Sequence, residues 1–231
     1  MTIDAERLPE GDEKVGAVRS MFDAIAPRYD LVNRLMTFRM DVGWRKKTIA
    51  SLQLPNGSVV LDLACGTGDL CRGLAGAGLR PVGLDLSYGM LAAARTDAPL
   101  AQADALRLPV PDGSVDGVTC GFALRNFQAL EPFFNELGRV TRPGGRIALL
   151  EVAEPPNPLL RWGHSIYFGK VVPVIGGLLS DGAAYRYLPK SVAYLPEPEV
   201  MLDQIRAAGF TKVDRRLLST GISQLVTATR A

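Results

Sequence analysis

The chain has 231 residues, of which 47% are hydrophobic and 22% are charged, and its formal net charge is +2. This length and composition predict one globular domain and argue against wholesale disorder. The net charge is small and no run of basic residues has interleaved aromatic residues, so we expect no nucleic-acid partner.

The cysteine and histidine content argues against a metal site. The chain has three cysteines without a C-x-x-C pair, and His164 is its one histidine, whereas zinc and iron–sulfur sites need clustered ligands. We therefore predict no metal and reduced thiols, as in a cytoplasmic protein. No stretch has the apolar length needed to span a bilayer, so any membrane contact is expected to be peripheral.

The N-terminal part of the chain is predicted to be a helical cap. Residues 1–14 are polar and acidic and are expected to form a frayed leader. Apolar residues recur at three- and four-residue spacing over residues 15–52, which indicates helix, and Pro27 interrupts the pattern. Because proline breaks a helix interior, we expect at least two short helices.

From Val59 onward, strand and helix patterns alternate. Short apolar runs predict parallel strands buried on both faces, and they lie at 59–63, at 81–85, in a short stretch ending at Asp104, at 115–121 and at 146–152. Helices are predicted after the first strand, over 87–95 with Ser87 as N-cap, and over 129–141, before a turn at 143–145. This alternation predicts a doubly wound α/β sheet.

Residues 155–195 break the alternation. They are apolar and helical in pattern, with glycine and proline interruptions, and we interpret them as an inserted lid over a substrate. A helix over 197–210 that ends at Gly209, and strands near 211–218 and 222–229, complete a mostly parallel sheet of seven strands. The chain is thus one domain, 1–231, divided into a helical cap (1–52), a cofactor-binding core (58–152), the lid (155–195) and a last helix with two strands (197–231).

A glycine turn follows the first predicted strand. The segment LDLACGTGDL (61–70) lies where this strand enters the first helix, the position at which a doubly wound sheet binds nucleotides. Gly66 and Gly68 allow a tight turn and close approach of a ligand, because neither carries a Cβ. Cys71 stands where the dinucleotide pattern G-x-G-x-x-G needs glycine, and the Gly-Lys-Ser/Thr of a P-loop is missing.

Acidic residues end the next two predicted strands. Asp85 lies 19 residues after Gly66, where a carboxylate can accept both hydroxyls of a ribose. Asp104 and Ala105 end the third strand, where an acid can accept from an adenine amino group. Either aspartate could instead be a helix cap or a solvated loop acid. The glycine turn, Asp85 and Asp104 thus lie at the ends of three successive predicted strands, and together they favour an adenosine cofactor.

These features resemble class I S-adenosylmethionine methyltransferases over residues 58–152. The resemblance is carried by D-L-A-C-G-T-G, Asp85, Asp104-Ala105 and the R-P-G-G turn at 142–145. Three further segments are similar to the menaquinone/ubiquinone C-methyltransferase (MenG/UbiE) family, so that the likeness runs from residue 15 to about 223: MFDAIAPRYDLVNRLMTFRMDVGWRK (21–46), GFALRNF (121–127) and AYRYLPKSVAYLPEPE (184–199). These segments lie outside the generic cofactor half and point to the substrate.

The resemblance implies a Rossmann-like methyltransferase sheet with S-adenosylmethionine as cofactor. It also implies C-methylation of a prenylated quinol, such as demethylmenaquinol, in menaquinone or ubiquinone biosynthesis. By it, Thr67, Asp85, Asp104 and Ala105 fall on cofactor-contacting positions. The predicted cofactor-binding set also contains one residue of the first strand and two glycines of the turn after it: Asp62, Gly66 and Gly68.

The chemistry requires a group that takes or stabilises the phenolic proton, because a deprotonated hydroxyl activates the neighbouring ring carbon. Arg125, in the loop after the fourth strand, is the first candidate for stabilising the phenolate. Weaker candidates for orienting the ring are Tyr29, Asp30, Asn126, Tyr185 and Tyr187. His164 lies in the apolar insertion and is interpreted as a helix-face residue.

Two other functions stay open at this stage. Gly121 stands where the family usually has serine, and STGISQLVTATRA replaces its C-terminal signature. A methyltransferase of secondary metabolism acting on another phenol or polyketide would look similar. A non-catalytic protein that binds S-adenosylmethionine is the second alternative. The expected partner is a lipophilic quinol or phenolic small molecule, and peripheral membrane contact and a homodimer remain open.

Overall fold

The computed structural model describes residues 11–172, 174, 177, 187 and 190–231. Seven strands form one sheet: β1 (Val59–Leu63), β2 (Arg80–Asp85), β3 (Leu100–Gln102), β4 (Val115–Gly121), β5 (Thr141–Val152), β6 (Phe210–Leu218) and β7 (Ser223–Arg230). Their order is β3-β2-β1-β4-β5-β7-β6. Strands β1 to β5 are parallel, whereas β7 runs antiparallel between β5 and β6. The predicted doubly wound, mostly parallel sheet is confirmed.

Helices cover the sheet and form the cap. Eight α-helices are described: α1 (Gly11–Ile25), α2 (Tyr29–Met36), α3 (Met40–Leu52), α4 (Asp69–Gly76), α5 (Tyr88–Ala92), α6 (Leu130–Val140), α7 (Pro158–Ile166) and α8 (Pro198–Ala207). Short 3-10 turns occupy Ala26–Arg28, Leu124–Asn126, Val192–Tyr194 and Ser219–Gly221, and a π-helical turn, Tyr167–Val171, continues α7. Among the described residues, no helix combines the length and apolar character that crossing a membrane requires.

The parallel strands β1 and β4 lie side by side at the centre of the sheet, and the order in which successive strands are added to the sheet reverses between them. The connections from β1 and from β4 diverge there, so a crevice opens at the carboxyl ends of the two strands. Both strands are almost wholly buried, which explains their continuous apolar sequences. The fold therefore positions the loops after β1, β2 and β4 around one crevice.

The N-terminal cap has its own apolar core. Met21 of α1 and Val32 of α2 pack with Met90 of α5, and buried Val172 and Tyr187 belong to the same cluster. The cap thus contacts the helix that follows β2. Residues 173, 175–176, 178–186 and 188–189 lie outside the described part of the chain, so the expected lid over 155–195 is described only in part.

Four local predictions were wrong. Helix α1 already begins at Gly11, and Lys14 is buried where a frayed leader was expected, because its Nζ donates to the carbonyl of Phe127 at 2.7 Å. Strand β3 ends at residue 102, before Asp104. Helix α5 stops at residue 92 instead of 95. The R-P-G-G segment is an irregular part of β5, at which the pairing with β4 shifts register.

Candidate active site

The loop between β1 and α4 is a glycine turn. Gly66 and Gly68 have φ of +56° and +82°, which glycine adopts without the penalty of a Cβ. A Cβ on Gly68 would lie 2.6 Å from Cγ2 of Thr96, whereas one on Gly66 would meet nothing within 4 Å. The turn is therefore closed by packing at Gly68 and leaves open space beside Gly66.

Asp85 fastens this turn to the end of β2. Its Oδ2 accepts a hydrogen bond from the backbone N–H of Gly66 at 2.7 Å, and its Oδ1 accepts from that of Ser87 at 2.8 Å. Burial raises the pKa of Asp85 above its usual value, and the two backbone hydrogen bonds oppose that shift. Each carboxylate oxygen has about two acceptor positions, so Asp85 can still accept from a ligand.

A first cleft, the cofactor cleft, opens above these residues with an empty volume of about 840 Å³. Four predicted cofactor residues and two predicted catalytic residues line it: Gly66, Asp85, Asp104, Ala105, Tyr29 and Asn126. Gly121 also lines the cleft, and a Cβ there would lie 3.0 Å from Cδ1 of Leu70. The predicted strand-end features are thus brought together at one crevice.

Three predicted cofactor residues stand behind the cleft and are not among its described lining residues. Thr67 donates from Oγ1 to Oδ1 of Asp30 at 2.5 Å, joining the turn to the cap. Gly68 is the N-cap of α4. Asp62 is fully buried in β1, where it accepts from Thr119 Oγ1 at 2.8 Å, and burial raises its pKa to about 7. These residues support the turn from below.

Helix α1 forms a wall of the cofactor cleft that was not predicted from the sequence. Val15, Val18, Arg19 and Phe22 of α1 line it opposite the strand ends. The apolar members follow the three- and four-residue spacing that predicted a helix, but this spacing does not show what the helix covers.

A second cleft, the substrate cleft, adjoins the first and has an empty volume of about 1490 Å³. Its walls come from α2, α3, α7 and the π-helical turn, and its lining is mostly apolar and aromatic, including Met36, Phe38, Trp44, Tyr167 and Phe168. Tyr29 and Phe122 are the described residues that line both clefts. The two clefts therefore meet at these two rings.

Arg125 lines the substrate cleft and is held from three sides. Its guanidinium forms a buried ion pair with Glu151 of β5, donates from Nε to Ser191 Oγ at 3.1 Å and donates from Nη1 to the carbonyl of Phe122 at 3.0 Å. Only 6% of Arg125 is exposed. The side chain is thus a fixed positive group at the wall of the cleft.

The other predicted catalytic residues cluster beside Arg125. Asn126 Oδ1 accepts from the buried hydroxyl of Tyr187 at 3.4 Å, and burial raises the pKa of Tyr187. Burial also raises the pKa of Tyr29, whose ring packs edge-to-face on Phe22 at 5.9 Å. Tyr187 is buried in the apolar cluster of the cap. Tyr185 lies outside the described residues.

His164 lies in the wall of the substrate cleft, where the sequence analysis did not expect a functional role. Its ring packs on Phe168 with a centroid distance of 4.4 Å, and burial lowers its pKa. Within the described part of the chain, its buried Nε2 has no hydrogen-bond partner. A neutral imidazole with an unused nitrogen can accept a proton. Among the same residues, no group of three or more Cys, His, Asp or Glu side chains could hold a metal ion.

The chain is similar in sequence to methyltransferases named for menaquinone and ubiquinone. It is 43% identical over 215 residues to a demethylmenaquinone methyltransferase of Thermus thermophilus, covering 89% of this chain and 97% of that protein. It is 42% identical to a demethylmenaquinone methyltransferase of Deinococcus radiodurans, covering 94% and 95%. A ubiquinone/menaquinone biosynthesis C-methyltransferase UbiE of Syntrophotalea carbinolica is 41% identical, with 92% and 94% covered.

Solved structures share the fold at low sequence identity. A SAM-dependent methyltransferase from Thermotoga maritima has a TM-score of 0.65 at 16% identity, covering 92% of this chain and 99% of that chain. A phosphoethanolamine N-methyltransferase of Haemonchus contortus in complex with S-adenosyl-L-methionine has a TM-score of 0.60 at 15% identity, covering 80% and 52%. The family profile described as the ubiE/COQ5 methyltransferase family matches residues 9–230. The resemblance noted in the sequence is confirmed, and this chain belongs to the ubiE/COQ5 methyltransferase family.

Proposed function

We propose that this protein is an S-adenosylmethionine-dependent C-methyltransferase that acts on a prenylated quinol such as demethylmenaquinol. The observation that carries the proposal is the junction of the two clefts at Tyr29 and Phe122. One cleft has the glycine turn and acidic residues suited to an adenosine, and the other is apolar and aromatic. The names of the relatives, all from menaquinone or ubiquinone biosynthesis, support this substrate class.

The residues of the cofactor cleft fit S-adenosylmethionine. Asp85 keeps acceptor positions for the two ribose hydroxyls, and the open space beside Gly66 admits a ligand against the backbone. Asp104 and the apolar side chain of Ala105 line the end of the cleft suited to an adenine. When bound, the cofactor supplies an electrophilic methyl group on a sulfonium sulfur.

Arg125 stabilises the phenolate form of the quinol. The guanidinium is permanently charged and is held by Glu151 and Ser191, so it needs little reorganisation when negative charge develops on the ring oxygen. The activated ring carbon beside that oxygen is then the nucleophile. The oxidised quinone carries carbonyls instead of hydroxyls and has an electrophilic ring, so it is not a substrate.

His164 accepts the hydroxyl proton. Its neutral form is favoured because burial lowers its pKa, and its Nε2 is unpaired among the described residues. Activity should rise with pH through the pKa of His164, below the usual value of 6.5, and His164→Gln should flatten this acid limb of kcat/KM. An unchanged acid limb in His164→Gln would assign the proton to another acceptor.

The substrate assay uses a short-chain demethylmenaquinone analogue and S-adenosylmethionine with a labelled methyl group. We expect transfer when a reductant keeps the analogue as the quinol, and none to the oxidised quinone. Equal transfer to both redox forms would contradict the mechanism. Cofactor binding without transfer to any prenylated quinol would favour the methyltransferase of secondary metabolism, and absence of cofactor binding would contradict the proposal as a whole.

The protein contacts a membrane peripherally through an apolar surface beside the substrate cleft. On α2 and the turn after it, Leu31, Leu35 and Phe38 are 57%, 47% and 72% exposed, and on α7 Leu159 and Trp162 are 74% and 65% exposed. Phe38 packs on Tyr167 at 5.8 Å, so the two apolar faces adjoin at the cleft. An exposed apolar surface of this kind marks a docking site.

Basic side chains accompany this apolar surface. Arg39, Arg161 and Lys170 are exposed on the same elements, which favours an anionic lipid surface. A prenylated quinol resides in the bilayer, so a cleft that opens beside this surface receives the isoprenoid tail directly.

Vesicle sedimentation tests this contact. The native protein should co-sediment with vesicles containing phosphatidylglycerol more strongly than with pure phosphatidylcholine, and Leu159→Ser/Trp162→Ser should release it. The matched control is Val200→Ser/Leu217→Ser, which replaces two apolar residues that are 50% and 40% exposed on α8 and β6. Equal release by both double variants would contradict the assigned surface. The homodimer stays a prediction for light scattering to test.

A further inference from the structure

Phe122 lies at the junction of the two clefts, within the GFALRNF segment (121–127) that points to the substrate, and no individual role could be assigned to it from the sequence. It follows the last residue of β4, and its half-buried ring lines both the cofactor cleft and the substrate cleft. Tyr29, the other residue shared by the clefts, comes from the cap, whereas Phe122 comes from the loop directly after β4.

The backbone of Phe122 is held in an unusual conformation. Its φ is +61°, in the left-handed region that residues with a Cβ rarely adopt. Its N–H donates to the carbonyl of Leu150 at 2.7 Å, and its own carbonyl accepts from Arg125 Nη1 at 3.0 Å. Such strain persists where the surrounding structure enforces it, and it clusters at functional sites.

The ring of Phe122 is also fixed on the side of the substrate cleft. Its centroid lies 6.1 Å from that of Trp44, and the guanidinium carbon of Arg45 lies 5.8 Å from the Phe122 centroid. Arg45 is in turn paired with buried Asp41. Backbone strain, an aromatic neighbour and a paired cation therefore hold this ring in one place.

We propose that Phe122 is a substrate-positioning residue, whose ring fixes the plane of the quinol so that the ring carbon, and not the neighbouring hydroxyl oxygen, faces the methyl group. This inference rests on the proposed function. An aromatic quinol packs by offset stacking or edge-to-face contact with such a ring, and the fixed platform leaves the quinol little freedom to rotate.

The alternative product arises from the same reactants. In C-methylation, a carbon–carbon bond forms and the carbon–sulfur bond breaks with its electrons going to sulfur. The ring carbon then loses its proton to water, which restores the aromatic ring, and His164 returns the hydroxyl proton to the ring oxygen. In O-methylation, a carbon–oxygen bond forms instead and the hydroxyl proton is lost. The two nucleophilic atoms, the ring oxygen and the nucleophilic ring carbon, are both bonded to the same carbon of the ring, so the orientation of the ring decides between them. A misplacement of about 1 Å can cost on the order of 10²-fold in rate.

The test compares Phe122→Leu with Phe122→Tyr on the short-chain quinol analogue. Leucine carries the same Cβ at the same φ but has no ring, so Phe122→Leu should lower kcat for C-methylation by about 10- to 100-fold and raise the fraction of O-methylated product. Phe122→Tyr keeps the ring and should stay close to native in both measurements. Thermal shift with S-adenosylmethionine should show cofactor binding in both variants.

Two other phenylalanines serve as matched controls, because one lines the cofactor cleft and the other lines the substrate cleft. Phe127→Leu, in the cofactor cleft, should raise KM for S-adenosylmethionine, and Phe38→Leu, in the substrate cleft, should raise KM for the quinol. Neither should change the ratio of C- to O-methylated product. The inference is overturned if Phe122→Leu keeps native kcat and product ratio, or if Phe122→Tyr is as impaired as Phe122→Leu. No methylation of the quinol by the native enzyme would instead contradict the proposed function.

Discussion

The buried ion pair between Arg125 and Glu151 allows stability and catalysis to be separated. Arg125 is 6% exposed and Glu151 is fully buried, so removal of one partner leaves an uncompensated charge in the interior. Breaking such a pair costs about 3–5 kcal/mol. In a domain of this size each kcal/mol lowers the melting temperature by about 2–4 °C. We therefore expect Arg125→Met or Glu151→Gln alone to lower the melting temperature by about 6–20 °C.

The double variant Arg125→Met/Glu151→Gln removes both charges together. Glutamine keeps an oxygen that can accept from the N–H of Val152, which Glu151 Oε1 binds at 2.8 Å, so that donor stays satisfied. Methionine fills the volume of the arginine stem, although the hydrogen bonds of Arg125 to Ser191 and to the carbonyl of Phe122 are lost. The double variant should therefore be more stable than the sum of the single losses predicts, with a coupling energy of about 1–3 kcal/mol.

The assay is urea unfolding of the native protein, the two single variants and the double variant, followed by methyl transfer to the quinol on each folded protein. The folded double variant should still lose about 10²-fold or more in turnover, because the charge that stabilises the phenolate is gone. Strictly additive losses would refute the reasoning that the pair is buried and coupled. Native turnover in the double variant would refute the role of Arg125.

Three further outcomes follow from the cofactor side of the site. Asp85→Ala should weaken S-adenosylmethionine binding by about 10- to 150-fold in titration calorimetry, because the ligand loses a charged hydrogen-bond partner. Gly68→Ala should lower the melting temperature more than Gly57→Ala, since both glycines have φ near +80° but only the first would press a Cβ on Thr96. Burial raises the pKa of Asp62 from 3.8 to about 7. The contribution of this carboxyl group to folding stability is therefore fully present below about pH 4 and is lost as pH rises through 7. At pH 8, urea unfolding should therefore give Asp62→Asn a higher free energy of unfolding than the native protein, by a few kcal/mol at most. This difference should become smaller as the pH is lowered towards about pH 4.

The central strands and the glycine turn could be predicted from the sequence because local pattern and burial agree there. Strands β1 and β4 have the predicted bounds, since a strand buried on both faces needs a continuous apolar run. Ser87 was predicted as an N-cap, and its Oγ accepts from the N–H of Met90 at 3.1 Å. Asp85 could be placed at the cleft because parallel strands end at one edge of the sheet.

Features that depend on packing between distant segments could not be predicted. Lys14 lies in a polar stretch, and only the fold places its amine against the carbonyl of Phe127 and over the ring of Tyr194. The positive φ of Phe122 has no local signal, because that conformation is normally marked by glycine. His164 has the sequence surroundings of any helix-face residue, and its place in the substrate cleft follows from where α7 packs.

The same long-range contacts explain why cap and cofactor site act as one unit. Asp23 of α1 accepts from Ser87 Oγ at 2.5 Å and from the N–H of Gly89 at 2.8 Å, and Asp30 of α2 accepts from Thr67 Oγ1 at 2.5 Å. The loops after β1 and β2 are therefore bonded to the helices that form one wall of each cleft. Methyl transfer needs water excluded and two reactants aligned. We expect the cap to serve both needs, because the helices that line the two clefts are hydrogen-bonded to the loops after β1 and β2.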